Sequence, residues 1–570
     1  MSSTNGKHSN ETLPRILLRR LEEEPEAEAC RLVHSNGTLS SVTVHTLLER
    51  AMAYAQVYGS ATSERKIVGV CLYHSLDLHA AFLGALWAGH IPTMLAPPSP
   101  RMETAKYSQS FCRMLEHIRP SFVVVDHEAS EGLDGLSLAK FPESKLIDPV
   151  TVPAAGFVAP FEGQAEDIAV LQHSSGTTGL QKGVALSHPA IVNHNRRYAE
   201  RLKLSKADKI ISWLPLYHDM GFVACFLLPL LERNLFIELY PFDWVLRPVS
   251  LLEQIRKNRA TLCWMPNFGF QFLADSIRPG QVADDLDLSS IRAWVNCSEP
   301  VHHAAYQAFF ARFNKNGVRW EQFTASYAMA ENVFAVSQSM RGEYSVVKVN
   351  RPEFVRAGRI VLDEASDAIE LVSNGRPVAG SEVAVLDHQG QPLPENHVGE
   401  LAIRGDYRFS GYFHRDDLTR DSMTDDGWYR TGDLGFVRAG EIYVTGRQKD
   451  LIIIQGRNFY PADIERIVAE VEGITAGRVV VFGLPIEKTG TEGLVVLAEA
   501  IDYAGEQSKH LALRIRNRVA QELDCAPFDV RIVPPRWLVK STAGKLARND
   551  NRKKYLENFM KEDQISPAYV

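Results

Sequence analysis

No C-x-x-C pair occurs anywhere in the sequence, whose seven cysteines stand scattered at positions 30, 71, 112, 225, 263, 297 and 525. That spacing excludes zinc ribbons and dithiol redox motifs, and an odd, dispersed set predicts reduced packing residues. Long apolar runs are also missing. The longest, such as "FVACFLLPLL" at 222–231, falls far short of a bilayer span, and the opening "MSSTNGKHSNETLPR" has no apolar signal core. A cytoplasmic protein without a transmembrane segment is therefore expected. Positive charge is not in excess: the net charge is −7 and the pI near 6.2, so no nucleic-acid partner is expected. Neither repeats nor long low-complexity tracts appear, and the acidic "EEEPEAEA" at 22–29 reads as a solvated helix end and turn.

What remains is an ordinary globular composition, 45% hydrophobic and 23% charged over 570 residues, with a length prior of about three or four folding units or fewer large ones. Short β-branched runs alternate with amphipathic segments: "KIVGVCLY", "HAAFLGALWAG", "SFVVVD", "KIISWLP" and "ATLCWMP". This rhythm predicts α/β layers with much parallel pairing. After Gly446 the texture changes to a charged turn, a strand, a Gly-containing hairpin or loop, a helix opening near Pro461, then strands at "RVVVFGLP" and "GLVVLAEA", the helical "KHLALRIRNRVAQEL", "DVRIVPPRWL" and a basic tail helix. The fold class expected is α/β: a large N-terminal domain of layered α/β subdomains over 1–448 and a smaller, mobile α+β C-terminal domain over 449–570.

"LQHSSGTTGLQKGVALSH" (171–188) crowds hydroxyls and glycines between two apolar runs. A chain that wraps phosphate uses glycines for close backbone approach and Ser or Thr hydroxyls as donors. Ser174, Ser175, Gly176, Thr177, Thr178 and Gly179 supply both, in what reads as a tight turn between two strands. It is not a Walker A loop, because Lys182 follows Gln181 and precedes Gly183 instead of standing between Gly and Ser or Thr at a helix start. A polar hairpin tip is the plainer alternative; six such residues in succession favour anion binding.

Here the sequence resembles the adenylate-forming enzymes, which include acyl-CoA synthetases, peptide-synthetase adenylation domains and fatty acyl-AMP ligases. The loop is similar to that family's phosphate loop, and six further blocks follow in order: "SWLPLYHDMGF" (212–222), "NCSEPV" (296–301), "SYAMAE" (326–331), "GWYRTGDLG" (427–435), "GRQKDLIIIQGRNFYPADIE" (446–465) and "KSTAGKLAR" (540–548). The resemblance implies that a carboxylate and ATP give acyl-adenylate and pyrophosphate, after which the acyl group passes to a thiol. It assigns Lys545 to the α-phosphate and the reacting carboxylate, Glu331 to Mg²⁺ together with Thr178, Asp433 to the ribose hydroxyls, and Arg447 to the ribose and phosphate. Lys182, Ser298, Glu299, Ser326 and Tyr327 fall in the nucleotide-binding blocks. His218 is placed beside the carboxylate entrance as a shield against water.

Plainer readings stand beside each of these. Lys545 is also a lysine in a basic tail, Glu331 a surface helix N-terminal glutamate and Asp433 an ordinary turn residue. His218 with Asp219, or Cys297 with His302 and His303, make poor metal or thiol sites for want of further ligands. Two departures bear on the nucleotide pocket: Ala328 stands where glycine is usual, and Cys297-Ser298 replaces a Gly-Ala pair, so slight remodelling is expected.

Aromatic bulk between 213 and 273 (Trp213, Phe222, Phe226, Trp264, Phe268, Phe270, Phe272) suits an apolar acid, with Pro266 opening a helix at its first position and Phe268 and Phe272 sharing a face. Core packing is the default for such a stripe. The segment 345–368 resembles the insertion that marks fatty acyl-AMP ligases, whose acceptor is the phosphopantetheine arm of an acyl carrier protein. Coenzyme A as acceptor and a non-catalytic nucleotide or lipid sensor are the rival readings. Lys449 falls where relatives hinge.

Overall fold

The computed structural model describes residues 11–61, 64–98, 104–132, 141, 143–173, 182–278, 280–283, 285–365, 368–454, 457–486, 491–523, 525–541 and 544–560. Its largest sheet has nine strands, in the spatial order Arg376–Pro377, Ala335–Gln338, Phe323–Ala328, Ala293–Asn296, Leu262–Met265, Lys209–Ser212, Leu235–Leu239, Glu28–Val33 and Leu39–Thr43. The six from Phe323–Ala328 to Glu28–Val33 run parallel. Their near-continuous apolar sequences follow from burial on both faces. A second, all-parallel sheet orders Ile91–Met94, Ile67–Cys71, Phe122–Val125 and Lys145–Ile147. The helix Leu76–Trp87 is buried almost all round where these layers meet, capped by Ser75 accepting from the Leu78 N–H. The α/β rhythm read from the sequence is thus present, strand for strand.

Two smaller sheets complete the N-terminal part. Ser381–Leu386, Gly399–Gly405, Tyr429–Arg438 and Glu441–Arg447 form an antiparallel four-stranded sheet. Ile168–His173 and Gly183–Ser187 pair antiparallel, His173 opposite Gly183, and Gly411–Tyr412 adds a third strand. The predicted strand-to-strand turn therefore has its two flanks in place, while Ser174 to Gln181 lie outside the described residues.

Beyond Lys449 come the hairpin Ile452–Ile454 and Arg457–Phe459, the helix Pro461–Ala469, the long strands Ile474–Ile486 and Thr491–Ala500, the helix Gly505–Leu523, the strand Asp529–Val533 and the helix Arg548–Phe559. Two apolar clusters built wholly from residues 452 onward give this unit its own core, as the α+β reading expects. The apolar run 222–231 is a buried π-helix, Met220–Leu227, running into the short helix Leu228–Glu232. Among the described residues no helix is long and apolar enough to cross a membrane.

Candidate active site

The parallel strands of the large sheet end together, and the segments leaving their carboxyl ends carry four of the assigned residues, His218, Ser298, Glu299 and Glu331. Ser212 leads to His218 and Asp219, Met265 to Phe268, Asn296 to Ser298 and Glu299, and Ala328 to Glu331. Ligands of open α/β sheets bind at such ends, where loops of adjacent strands diverge.

Lys545 reaches this place from the C-terminal unit. It sits on a tight loop in which the Ser541 N–H donates to the Lys545 carbonyl at 2.7 Å and Gly544 turns the chain at φ +77°. A Cβ at Gly544 would stand 3.8 Å from the Phe268 ring, so the loop rests on the aromatic segment. The Lys545 ammonium donates to the Ser298 carbonyl at 2.5 Å. Two partly buried carboxyls flank it. Burial pushes Asp219 up and Lys545 pulls it back; Glu299 is raised by burial and drawn down first by Lys545. Asp219 accepts from the Met220 N–H at 2.8 Å and Glu299 from the Phe268 N–H at 3.0 Å. One ammonium from the C-terminal unit is thus the leading cation acting on both carboxyls.

Asp433 is 6% exposed and lies in a strand, not the turn its sequence suggested, because residues 429–438 pair across both neighbouring strands. The Tyr327 hydroxyl donates to it at 2.7 Å and the Arg447 guanidinium pairs with it at 3.1 Å. Burial raises its carboxyl, with Arg447 opposing, and Asp433 in turn raises Arg447. A carboxylate has about four lone-pair sites, so two remain for a ligand's hydroxyls. Ser326 points elsewhere: its hydroxyl donates to the Ser337 carbonyl at 2.8 Å and ties two strands together.

Glu331 is 9% exposed, in a short 3-10 turn. It is not the surface helix residue that its sequence alone allows. The Tyr412 hydroxyl donates to its Oε1 at 2.8 Å, and the Lys182 ammonium stands 4.4 Å over the Tyr412 ring. Among the described residues no group of three His, Cys, Asp or Glu could hold a metal. A single buried carboxylate suits a hard cation that takes its other oxygens from phosphate and water, which fits Mg²⁺ and not a site made by protein alone. His218 accepts the Phe222 N–H through its carbonyl at 2.8 Å, and its ring meets Tyr217 edge-on at 4.7 Å.

Burial pushes the Cys297 thiol up to about 12, far from a nucleophile's range. His303 shares a hydrogen bond with the Tyr344 hydroxyl at 2.5 Å and stacks on both Trp320 and Tyr344.

The two departures separate. Ala328 lies in a strand and is not among the residues with positive φ, so its methyl costs no backbone strain there. Ser298 does hold φ +70°, an uncommon setting for a residue with a side chain, and its turned carbonyl is the one Lys545 meets.

The aromatic stripe divides as well. Trp213 stacks on Trp244 at 3.7 Å, with Phe268 at 6.0 Å from the one and Phe272 at 5.2 Å from the other, directly behind the Lys545 loop. Trp264, Phe270, Phe222 and Phe226 belong to the general core. Pro266 caps the helix Asn267–Ser276 one position before the place read from the sequence. Within 345–365 the chain forms the strand Val346–Val349 and the helix Arg351–Ala357, and Val346–Val349 pairs with Ile369–Val372. Phe354 packs at 5.0 Å against Tyr460 of the C-terminal unit. Sequence reasoning missed Tyr412, Tyr429 and Trp244, whose partners lie far away along the chain and leave no local pattern.

The profile of the AMP-binding enzyme family matches residues 17–413, more than half of the sequence. The chain belongs to the AMP-binding enzyme family. Among solved structures, this AMP-binding enzyme superposes with a TM-score of 0.88 and 27% identity on a fatty acyl-adenylate ligase from a study of the E. coli and L. pneumophila proteins, covering 96% of this chain and 98% of that one. The L. pneumophila ligase in complex with acyl adenylate and pyrophosphate gives 0.73 at 27% identity, covering 96% of each chain. Among curated proteins it is 29% identical over 555 residues to the medium-chain-fatty-acid–[acyl-carrier-protein] ligase JamA of Moorena producens, covering 93% of this chain and 92% of JamA. It is 27% identical to the long-chain-fatty-acid–AMP ligase FadD32 of Mycolicibacterium smegmatis, covering 93% and 91%. A Caulobacter vibrioides protein bearing an acyl-CoA synthetase name is 31% identical over 84% of each chain.

Proposed function

We propose that this AMP-binding enzyme activates an apolar carboxylic acid with ATP, forming acyl-AMP and pyrophosphate, and passes the acyl group to the phosphopantetheine thiol of an acyl carrier protein. The observation that carries the reading is Lys545, brought from the C-terminal unit onto the Ser298 carbonyl between Asp219 and Glu299. A carboxylate attacking an α-phosphate joins two anions, and a positioned ammonium offsets the charge that builds as they meet. Asp433, steadied by Tyr327 and Arg447, accepts the ribose hydroxyls. Lys182 and the loop from Ser174 to Gly179 hold phosphate oxygens. His218 and the Trp213–Trp244 pair screen the reacting carbonyl from water. Bound Mg²⁺, held by Glu331 and Thr178, would neutralise the β- and γ-phosphates.

In this reading residues 1–448 bind acid and nucleotide while 449–570 turn about Lys449, withdrawing Lys545 so that the thiol can enter. The separate cores beyond residue 452 support two bodies. The insertion-like segment 345–368, seated on Tyr460, and the likeness to JamA and FadD32 support a carrier-bound thiol. The Caulobacter relative's name favours coenzyme A instead. A screen of carboxylic acids by ATP–pyrophosphate exchange identifies the acid. That acid is then offered coenzyme A and a pantetheinylated carrier side by side, with thioester followed by mass. Exchange with no acid sinks the enzyme reading, and thioester on coenzyme A alone sinks the carrier reading.

A further inference from the structure

Tyr412 lies between the two features that the nucleotide's phosphates need, and it is not in any of the motif blocks. Its two-residue strand, Gly411–Tyr412, pairs with the strand that leaves the glycine-rich loop, Tyr412 opposite Val184. The Ser410 and Phe413 N–H groups extend this seam, donating to the Ala185 and Gly183 carbonyls at 2.8 Å each. At the far side, the Phe409 N–H donates to the Glu331 carbonyl at 2.9 Å. The segment 409–413 is therefore stitched to the loop strand and to the Glu331 turn at once.

The side chain repeats the connection. A phenol has one proton, and Tyr412 gives it to Glu331 Oε1 at 2.8 Å. The Tyr429 hydroxyl, 2.9 Å away, must then be the donor to the Tyr412 oxygen, so two phenols in series point at one carboxylate oxygen. Such chains polarise and hold the terminal acceptor in one rotamer. Meanwhile the face of the same ring receives the Lys182 ammonium at 4.4 Å. Phe409 packs edge-on against both tyrosines, at 4.9 and 5.3 Å, and locks their planes.

We infer that Tyr412 is a positioning residue that fixes Glu331 through its hydroxyl and Lys182 through its ring, setting the distance between the carboxylate and the loop lysine before the nucleotide arrives. The inference rests on the proposed reading of Glu331 as the Mg²⁺-holding residue. It separates two functions of one side chain, and Tyr412→Phe removes only one of them. The ring, and with it the seat of Lys182, survives, while Glu331 loses its donor.

The test compares the full-length enzyme with Tyr412→Phe, Tyr412→Leu and Glu331→Gln. Calorimetric binding of a non-hydrolysable ATP analogue is measured with and without Mg²⁺, alongside the Mg²⁺ dependence of pyrophosphate exchange. Tyr412→Phe is expected to raise the Mg²⁺ concentration for half-maximal exchange about ten- to a hundredfold, the effect of one hydrogen bond to a charged group. Metal-free binding of the analogue should stay within about twofold. Tyr412→Leu should weaken metal-free binding as well; should it not fold, the near-isosteric Tyr412→Phe still decides the question. A parental Mg²⁺ response in Tyr412→Phe, with Glu331→Gln shifted, overturns the role of Tyr412 alone. A parental response in Glu331→Gln overturns the reading of Glu331 itself.

Discussion

Replacing Lys545 with alanine tests the arrangement most directly. In the structure its ammonium makes one hydrogen bond to a main-chain carbonyl and is the leading cation acting on both Asp219 and Glu299. Removing one positioned donor from a charge-developing centre costs about 10²–10³ in rate, or about 2.7–4 kcal/mol. Loss of the ammonium also leaves two partly buried carboxyls without their main cation, each pushed further up, and a substrate carboxylate must enter beside them. The expected loss in acyl-adenylate formation therefore sits at the upper end of that range. The assay is ATP–pyrophosphate exchange at saturating acid, run beside thioester formation from preformed acyl-adenylate. The second half-reaction should hold within a few-fold, because the proposed rotation about Lys449 withdraws Lys545 before the thiol enters. Lys545→Arg should rescue little, since a planar guanidinium does not reproduce a point charge on this short loop. Less than tenfold loss in exchange, or equal loss in both half-reactions, would refute the assignment.

Three further outcomes follow from other parts of the molecule. Lys449→Pro should slow thiol transfer much more than adenylation, checked by timing the two half-reactions separately; equal rates would remove the hinge. Ser298→Gly relieves a side chain held at φ +70° and should gain up to about 1 kcal/mol in denaturant melts, whereas Ala328→Gly, in a strand, should lose about 0.5–1 kcal/mol. Glu238 is buried between His79 at 2.8 Å and His74 at 3.3 Å, and these two partners hold its carboxyl below the ordinary range against the cost of burial. A depressed carboxyl contributes stability that is present above its unfolded pKa of about 4.3 and lost as pH falls through the folded value. Thermal melts of Glu238→Gln should accordingly show lower stability at pH 7 and a flatter decline below pH 4.3 than the parent; parallel curves would dismiss the pair as a source of acid lability.

The elements of the fold were legible because each is written locally. The runs at 67–71, 122–125, 209–212 and 262–265 have the composition of strands buried on both faces, and each is one. The C-terminal order of hairpin, helix, long strands and helices also reads directly, since period and turn residues change within a few positions. Legibility stopped where a residue's state depends on partners far along the chain. Asp433 looked like a turn residue because nothing nearby reveals the strand at 441–447 that pairs with it. Ala328 and Ser298 looked alike as replacements of small residues, and only backbone geometry separates the relaxed one from the one at positive φ.

The sequence by itself determined the layered α/β order, the start of a separate C-terminal core and the order of the glycine-, hydroxyl- and charge-bearing motifs, because hydrophobic period and ordered motifs act over short stretches. Tertiary structure alone decided that Lys545 meets the Ser298 carbonyl 247 positions away and that Tyr412 joins Glu331 to Lys182, since such contacts arise only when distant segments share one end of a sheet. The physical reason is range: propensity and pattern are local, whereas desolvation and charge pairing are settled by whatever the folded chain brings within a few ångströms.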